Sequence, residues 1–235
     1  KSWFSFVAKW PMKLGAFSML FTATIVYFVI SPPSARGVSS NIVISQVYGG
    51  GGNGGATLKN DFIELFNRGT SPVDVTGWSV QYASSAGTSW AVTTISGNIA
   101  PGKYYLIQEA PGSAGTVNLP TPDATGTIAM SATVGKVALV SNTTALSGAC
   151  PSAGVVDFVG FGSGANCFEG SGTTPAPSNA NAVLRGSNGC TDTDSNTSDF
   201  TASTPNPRNS ATTAQISPPP PNYQAKPAYC DLKLG

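Results

Sequence analysis

The chain has 235 residues, of which 10% are charged, and it is rich in glycine (27) and proline (18). It contains no histidine, which removes the commonest general base and metal ligand and argues against Ser-His-Asp, Cys-His and zinc-dependent catalysis. Residues 37–235 carry eight basic and eleven acidic residues, a net charge of −3, without the basic cluster that nucleic-acid binding needs. We therefore expect a turn-rich, exported β protein without enzymatic activity.

An apolar stretch near the N-terminus predicts a single transmembrane helix over residues 14–31. Its core, residues 14–30, holds 17 residues without a charge, which is at the short end of what spans a bilayer. Three lysines precede it, so the positive-inside rule places residues 1–13 in the cytoplasm and the main domain on the periplasmic or other extracytoplasmic side. Trp3 and Trp10 are predicted to anchor the N-terminal segment at the lipid interface.

A cleavable signal peptide is the alternative, because a basic segment followed by an apolar one is typical of both. It would leave the domain secreted instead of anchored. Pro32, Pro33 and Arg36 make a poor cleavage site, and this favours a retained helix followed by a linker over residues 32–40.

Small residues along the apolar stretch would let a neighbouring helix approach closely. On this basis Gly15, Ser18 and Thr22 are predicted to contact other transmembrane subunits, and ordinary contact with lipid is the alternative. The partners expected from the sequence are thus other membrane subunits and lipid, and not nucleic acid.

From residue 41 the hydrophobic pattern changes to a period of two, which indicates strands separated by Gly, Pro and Asn turns. The fold class is therefore all-β, and a sandwich is expected over residues 41–210, without a helix of normal length. The predicted strands cover residues 41–48, 61–67, 73–83, 88–95, 103–110, 135–141, 154–161 and 181–185.

An ordered series of motifs carries a family resemblance: IVISQVYGGGGNGG, NDFIELFNRGTSPVDVTGWSVQY, IAPGKYYLIQE, DTDSNTSDF and PNPRNS. Over about residues 41–210 the chain resembles the lamin tail domain family, and more specifically its bacterial, exported branch. The resemblance implies an immunoglobulin-like β-sandwich that is not itself catalytic. Bacterial members are often joined to exported nucleases, phosphatases or surface proteins as adhesive or positioning modules.

The four cysteines are Cys150, Cys167, Cys190 and Cys230, and none has CxxC spacing. An even number in an exported, histidine-free domain favours two disulfides over a metal site. Three pairings are possible. We favour Cys150–Cys167, which closes a short loop, together with Cys190–Cys230, and free thiols are the alternative.

The DTDSN segment has the spacing of a calcium loop, because Asp192, Asp194 and Asn196 would place oxygen ligands at alternate positions. It lacks the glycine and the later glutamate of such loops. A Ca²⁺ site on these three residues is therefore a hypothesis, and turns capped by their side chains are the alternative. No other cofactor and no catalytic residue is predicted.

Two further motifs have simple structural explanations. The glycine-rich residues 49–55 lack the Lys-Ser/Thr and the helix of a phosphate-binding loop. We expect a flexible, hairpin-like loop that could let a partner's backbone approach closely. Asp61 and Glu64 fall on opposite faces of one strand, so they cannot act as a paired acid and base.

Five aromatic side chains of the domain suit either a core or a platform that stacks on carbohydrate. Aromatic rings bury large areas in a sandwich core, and core packing is the favoured prediction. The five residues are Trp78, Tyr82, Trp90, Tyr104 and Tyr105.

Taken together, the sequence predicts a non-catalytic, single-pass accessory subunit of a multi-subunit membrane complex, for which a respiratory or photosynthetic assembly fits. Its sandwich would brace or cover the extracytoplasmic face. The Pro-rich tail over residues 211–235 is expected to be extended and to lie against its own domain or a partner. The alternative is a surface or secreted module for adhesion or ligand binding, with a glycan, a polymer or Ca²⁺ as ligand.

Overall fold

The computed structural model describes residues 41–214 and Cys230. These residues form an all-β domain in which the one α-helix, α1 (Asn196–Asp199), has four residues. The all-β class predicted from the sequence is thus confirmed for these residues. The strands are β1 (Ile42–Tyr48), β2 (Asn60–Asn67), β3 (Val73–Asp74), β4 (Trp78–Ala83), β5 (Ala91–Ile95), β6 (Asn98–Ile99), β7 (Tyr104–Pro111), β8 (Ala124–Thr125), β9 (Gly135–Val140), β10 (Val155–Phe161), β11 (Ala182–Arg185) and β12 (Phe200–Ser203).

Two sheets carry the domain. The larger has six strands in the order β12-β11-β1-β2-β7-β8, and all its neighbours are antiparallel except the pair β7 and β8. The smaller has four antiparallel strands in the order β10-β9-β4-β5. Strands β3 and β6 pair with each other as a short ribbon.

The main core lies between the two sheets and follows from alternation along the strands, because successive side chains point to opposite faces. On β2, Ile63 and Leu65 belong to this core, whereas Phe62 and Phe66 pack into two smaller clusters. The inner side chains of the larger sheet include Ile42, Ile44, Val47, Tyr105, Ile107 and Val183, and those of the smaller sheet include Val80, Ile95, Val137, Leu139, Val159 and Phe161.

A β-bulge in β1 positions two polar side chains. The register between β1 and β2 shifts between Ile44 and Gln46. The extra residue lets Ser45 and Gln46 both bond to the carboxylate of Glu64, at 2.6 and 2.9 Å. After the bulge, Val47 faces the main core again. The local twist of a bulge commonly re-aims side chains in this way.

The observed strands differ from the predicted ones in two respects. The predicted strand 73–83 is interrupted by a turn, in which the Trp78 N–H donates to the Val75 carbonyl at 3.0 Å and Gly77 has a φ of 80°. Strands β6, β8 and β12 were not predicted, because runs of two to four residues carry too little alternation to be recognised.

After β12, residues 204–212, here called the strap, leave the sheet ladder and cross its outer face.

The predicted transmembrane helix over residues 14–31 lies outside the described residues. So do the linker 32–40, most of the tail 211–235, and the residues assigned to the membrane: Trp3, Trp10, Gly15, Ser18 and Thr22. In residues 41–214 there is no helix long and apolar enough to cross a membrane.

Candidate functional site

The domain places most of its charge in its interior. Among the charged residues that the structure describes, only Asp74 and Asp194 are exposed. Lys and carboxylate side chains are rarely buried without a partner, because desolvation of a charge is costly. The buried charged residues are Asp61, Glu64, Glu109, Lys136, Asp157, Glu169, Arg185, Asp199 and Arg208. Any special chemistry of the domain therefore has to be sought in these groups.

Arg185, at the end of β11, is the centre of the largest buried cluster. Its Nη2 donates to both carboxylate oxygens of Asp157, at 2.8 and 3.0 Å, and its Nη1 lies 3.0 Å from Asp192 and 3.4 Å from Asp199. Its Nε donates to the Ile44 carbonyl at 2.9 Å. Burial alone would lower the pKa of Arg185, but Asp157 and the other carboxylates raise it. The guanidinium therefore stays charged and joins β1, β10 and β11.

Glu169 lies beside this cluster without an arginine of its own. Burial, together with the negative charge of Asp157, raises the pKa of Glu169 to about 10, so the carboxyl is protonated at neutral pH. Its Oε2 accepts from Asn196 at 3.2 Å, and its Oε1 has no hydrogen-bond partner among the residues that the structure describes. The cluster thus contains a neutral acid among charged ones.

A second cluster fixes the strap to the larger sheet. Arg208 donates from Nη2 and Nε to the two carboxylate oxygens of Glu64, at 2.7 and 3.2 Å, and its own backbone N–H donates to Glu64 at 2.7 Å. The guanidinium carbon lies 3.7 Å from the centre of the Tyr104 ring. Gln46 exchanges two hydrogen bonds with the backbone of Asn206. The strap is therefore held by charge, by an aromatic ring and by backbone recognition.

A third group, Asp61 and Glu109, contains no cation. Asp61 accepts backbone N–H bonds from Gly51 and Met130, each at 2.9 Å, and Glu109 accepts one from Ile128 at 2.9 Å. Burial raises the pKa of Asp61 to about 6, and burial with the neighbouring Asp61 raises that of Glu109 to about 7. Unlike the other clusters, this pair changes charge near neutral pH.

A comparison with known families decides what kind of domain this is. The family model described as Lamin Tail Domain matches residues 36–163. The chain belongs to the lamin tail domain family. Among curated proteins none matches the chain. A solved DUF4876 family protein from Bacteroides thetaiotaomicron is similar at 14% identity and a TM-score of 0.40, over 74% of this chain and 70% of that one.

The matched region of the lamin tail domain ends at residue 163, before two of its key cations. Arg185 and Arg208 both lie beyond it, and yet they hold Asp157 and Glu64 of the matched region. The C-terminal strands β11 and β12 and the strap are thus integral to the fold. In the sequence, the signal for such residues is a lone charge inside an apolar strand, as for Asp157, Lys136 and Arg185.

The predicted calcium residues lie in three different environments. Asp192 forms ion pairs with Arg68 and Arg185. Asn196 is buried, and its side chain bonds to the backbone of Phe158, Gly160 and Glu169. Asp194 is exposed and has a left-handed backbone, with φ of 54°. Within residues 41–214 no group of three Cys, Asp or Glu side chains is placed to hold a metal ion, and the calcium hypothesis stays a prediction.

The disulfides follow the pairing favoured from the sequence, with Cys150 joined to Cys167 and Cys190 to Cys230. The first links the β9–β10 loop to the β10–β11 loop and packs in a small cluster with Trp90 and Phe158. The second ties Cys230 to the outer face of the larger sheet, where both cysteines pack against Val43, Phe66 and Tyr104. The first bond thus joins two loops, and the second joins Cys230 to the residue that follows the 3₁₀ turn at Ser187–Gly189.

Lys136 of β9 adds a further link between loops. Its ammonium group donates to the carbonyls of Gly87 and Ala149 and to Asn166 Oδ1, each at 2.8 Å. It also lies 5.4 Å from the centre of the Trp90 ring. Burial lowers the pKa of Lys136, but three acceptors match its three protons. The residue therefore acts as a structural cross-link.

The glycine-rich loop differs from its prediction. Gly50, Gly51 and Gly52 are buried, so this part is packed and not an open, flexible loop. A Cβ at Gly51 would lie 1.9 Å from the backbone of Asn60, and one at Gly52 would lie 2.2 Å from Gly112. The close approach that glycine permits is thus used by the domain's own backbone.

Two further sequence predictions, on the faces of β2 and on the aromatic side chains, agree with the structure. Asp61 and Glu64 are on opposite faces of β2, since Asp61 bonds to Met130 and Glu64 bonds to the strap. The aromatic side chains pack in the interior rather than on an open platform. Trp90, Tyr104 and Tyr105 are buried, and Trp78 and Tyr82 are partly buried against the main core.

Proposed function

We propose that this chain is a non-catalytic, single-pass accessory subunit of a multi-subunit membrane complex. Its immunoglobulin-like sandwich, of the exported lamin tail type, would brace or cover the extracytoplasmic face. The observation that carries the proposal is that the buried cationic side chains bind partners inside the domain. Arg185, Arg208 and Lys136 are each saturated by partners within the domain. A side chain that is held by such internal contacts is a poor catalyst, because catalysis needs a group that can reach a substrate.

The two disulfides support a location outside the cytoplasm. Disulfides persist in oxidising compartments and are rare in the cytosol. The predicted topology, with the N-terminus in the cytoplasm, delivers the sandwich to such a compartment.

The surface of the domain supports association through the N-terminal stretch. Among the residues that the structure describes, Val117 is the only exposed large hydrophobic side chain. Stable protein interfaces generally bury an apolar core of considerable area. We therefore assign the docking contact to the small residues Gly15, Ser18 and Thr22 of the predicted helix.

Deletion and substitution in the N-terminal stretch test this assignment. The native mass of the detergent-extracted particle should exceed that of one chain, and deletion of residues 1–36 should abolish co-purification of the other subunits. Replacing Gly15, Ser18 and Thr22 together by Leu should also abolish it while keeping the membrane anchor. The control Ile25→Leu should change nothing. A particle with the mass of a single chain would refute the accessory role.

A groove beside the first disulfide favours a second candidate, a module that binds a neutral glycan or polymer. Asn142, residues 144–147 and residues 150–154 line a groove of about 590 Å³, which is within the usual range for ligand sites. Gln81 fixes one wall through Leu146 N–H and the Thr144 carbonyl. No charged residue is among those that line it.

Binding to insoluble neutral polysaccharides, measured by pull-down, separates this candidate from the first. A ligand-binding module should retain binding as a fragment of residues 37–235, without the predicted helix. The substitution Ala153→Arg, in the groove, should then abolish binding. Ala100→Arg, at an exposed position elsewhere, is the matched control. Loss of binding by both variants, or by neither, would rule out the groove.

A further inference from the structure

Residues 126–131, here called the latch segment, are held on the sandwich by three side-chain acceptors. Ile128 N–H donates to Glu109 Oε2, Met130 N–H to Asp61 Oδ2, and Ser131 N–H to the hydroxyl of Tyr82, at 2.9, 2.9 and 3.1 Å. Two backbone bonds to β7 add to this, from Gly126 to the Gln108 carbonyl and from Ala110 to the Ile128 carbonyl. The latch segment thus depends on two carboxyl groups for much of its attachment.

In the part of the chain that the structure describes, no positive charge lies beside these two carboxyls. Neither Asp61 nor Glu109 forms a salt bridge with any residue that the structure describes. The titratable groups that face them are Tyr48 of β1 and Tyr82 of β4, which sense the charge of Asp61, and the two carboxyls themselves. A buried carboxyl group in such surroundings avoids the cost of desolvating its charge only when it is protonated or when water reaches it.

The atoms around Glu109 leave a place for a proton. Glu109 Oε1 and Thr93 Oγ1 are buried, and among the described residues neither makes a hydrogen bond of ordinary geometry, although Thr93 lies near enough to the carboxyl to lower the pKa of Glu109, against the larger effect of burial. Oε2 is already occupied by the Ile128 N–H. Both side chains border Gly126, where a Cβ would lie 2.1 Å from Thr93 Oγ1 and 2.3 Å from Glu109 Oε2. The latch segment therefore covers Glu109 directly, and water can reach the carboxylate if this segment opens.

From this geometry we propose that Glu109, with Asp61 beside it, is a proton-operated latch that holds residues 126–131 closed when protonated and lets them open when ionised. When the latch segment is open, water hydrates Glu109, and its carboxyl binds a proton only as tightly as an ordinary carboxyl does. When the segment is closed, the buried carboxyl binds the proton more tightly, so protonation favours the closed state. Opening therefore releases protons, and a rise in pH promotes opening. The latch works in the range set by the raised pKa of Glu109, about 7, and that of Asp61, about 6.

Hydrogen–deuterium exchange of the full-length chain, between pH 5.5 and 8.5, tests the latch. After correction for the intrinsic pH dependence of exchange, a peptide covering residues 126–131 should exchange roughly tenfold faster or more at the higher pH. Glu109→Gln keeps an oxygen for the Ile128 N–H and removes the titration. In that variant the corrected exchange should stay slow across the range.

An exposed carboxyl provides the control. Asp74→Asn changes a fully exposed Asp and should leave the pH-dependent rise of the wild type intact. A wild type without the rise, or a Glu109→Gln variant that retains it, would overturn the proposal.

A direct titration keeps the proposal testable if Glu109→Gln fails to fold. The chain contains three glutamates, Glu64, Glu109 and Glu169, so the carbon-13 spectrum of their carboxyl groups is simple to follow. The Glu109 resonance should titrate with a midpoint near its raised pKa of about 7. If no glutamate titrates between pH 6 and 8, the latch does not exist.

Discussion

The Arg185 cluster and the Asp61–Glu109 pair both bury carboxyl groups, but only the first buries a cation with them. Around Arg185, the carboxylate of Asp157 receives two hydrogen bonds from one guanidinium, so its charge is matched at fixed distances. Around Glu109 the charged neighbour among the described residues is another carboxyl, Asp61. The first arrangement fixes strands permanently, whereas the second makes a segment's attachment depend on protons. A buried carboxyl group thus fixes the structure where a cation lies beside it and makes the structure depend on pH where none does.

Removing the central cation should have the largest effect. Arg185→Met keeps much of the side-chain volume but leaves Asp157, Asp192 and Asp199 without their shared partner. We expect a loss of roughly 3–5 kcal/mol in the free energy of unfolding, measured by urea denaturation. Arg68→Met is the control, since the Arg68 side chain is 24% exposed and its ion pair should contribute about 1 kcal/mol or less. Equal losses in the two variants would contradict the central role of Arg185.

Replacing glutamate by glutamine at Glu64 and at Glu109 distinguishes a carboxyl paired with a cation from one without a cation. Glu64 accepts hydrogen bonds from Arg208, Ser45 and Gln46, so Glu64→Gln places an amide donor against other donors. It should lower the free energy of unfolding by about 2–3 kcal/mol, since hydrogen bonds to charged groups are strong. Glu109→Gln should cause no such loss at pH 8. If both variants are equally destabilised there, the presence of a cation is not what distinguishes the sites.

Stability as a function of pH sharpens the difference further. The pKa of Glu109 is raised on folding, so its contribution to stability is complete below the unfolded pKa and is lost as the pH rises through about 7. Glu109→Gln lacks this loss. Between pH 5 and pH 8 its free energy of unfolding should therefore gain about 2 kcal/mol relative to the wild type. Glu169, with a pKa of about 10, affects both proteins alike. A constant difference would contradict the assignment.

The sequence was informative about where the longer strands lie. The eight predicted strands correspond to sheet strands of the structure, because each is a run of five or more residues rich in apolar side chains and separated from the next run by turn residues. The pairing of Cys150 with Cys167 followed from their short separation. The opposite faces of Asp61 and Glu64 followed from their odd spacing on one strand.

The buried charges could not be paired from the sequence, for a physical reason. Asp157 and Arg185 are 28 residues apart, and Glu64 and Arg208 are 144 apart. Such contacts depend on which strands become neighbours and on bulges such as the one at Ser45, which local patterns do not specify. The glycine-rich loop was misjudged for the same reason, since its neighbour Gly112 is distant in the chain. Long-range packing decided each case.

The smallest effect that we predict comes from removing a hydrogen bond that attaches the latch segment without removing a titrating group. Tyr82 holds Ser131 by a hydrogen bond of 3.1 Å through its hydroxyl, and burial raises the pKa of Tyr82 above its usual value, so the hydroxyl stays neutral near pH 7. Tyr82→Phe removes the acceptor but keeps the ring against the core. It should lower the free energy of unfolding by about 1 kcal/mol. Because the Tyr82 hydroxyl does not titrate in this range, this loss should not grow between pH 5.5 and pH 8.5. A loss that grows with pH would mean that Tyr82 acts through Asp61, and the latch would then have three coupled members instead of two.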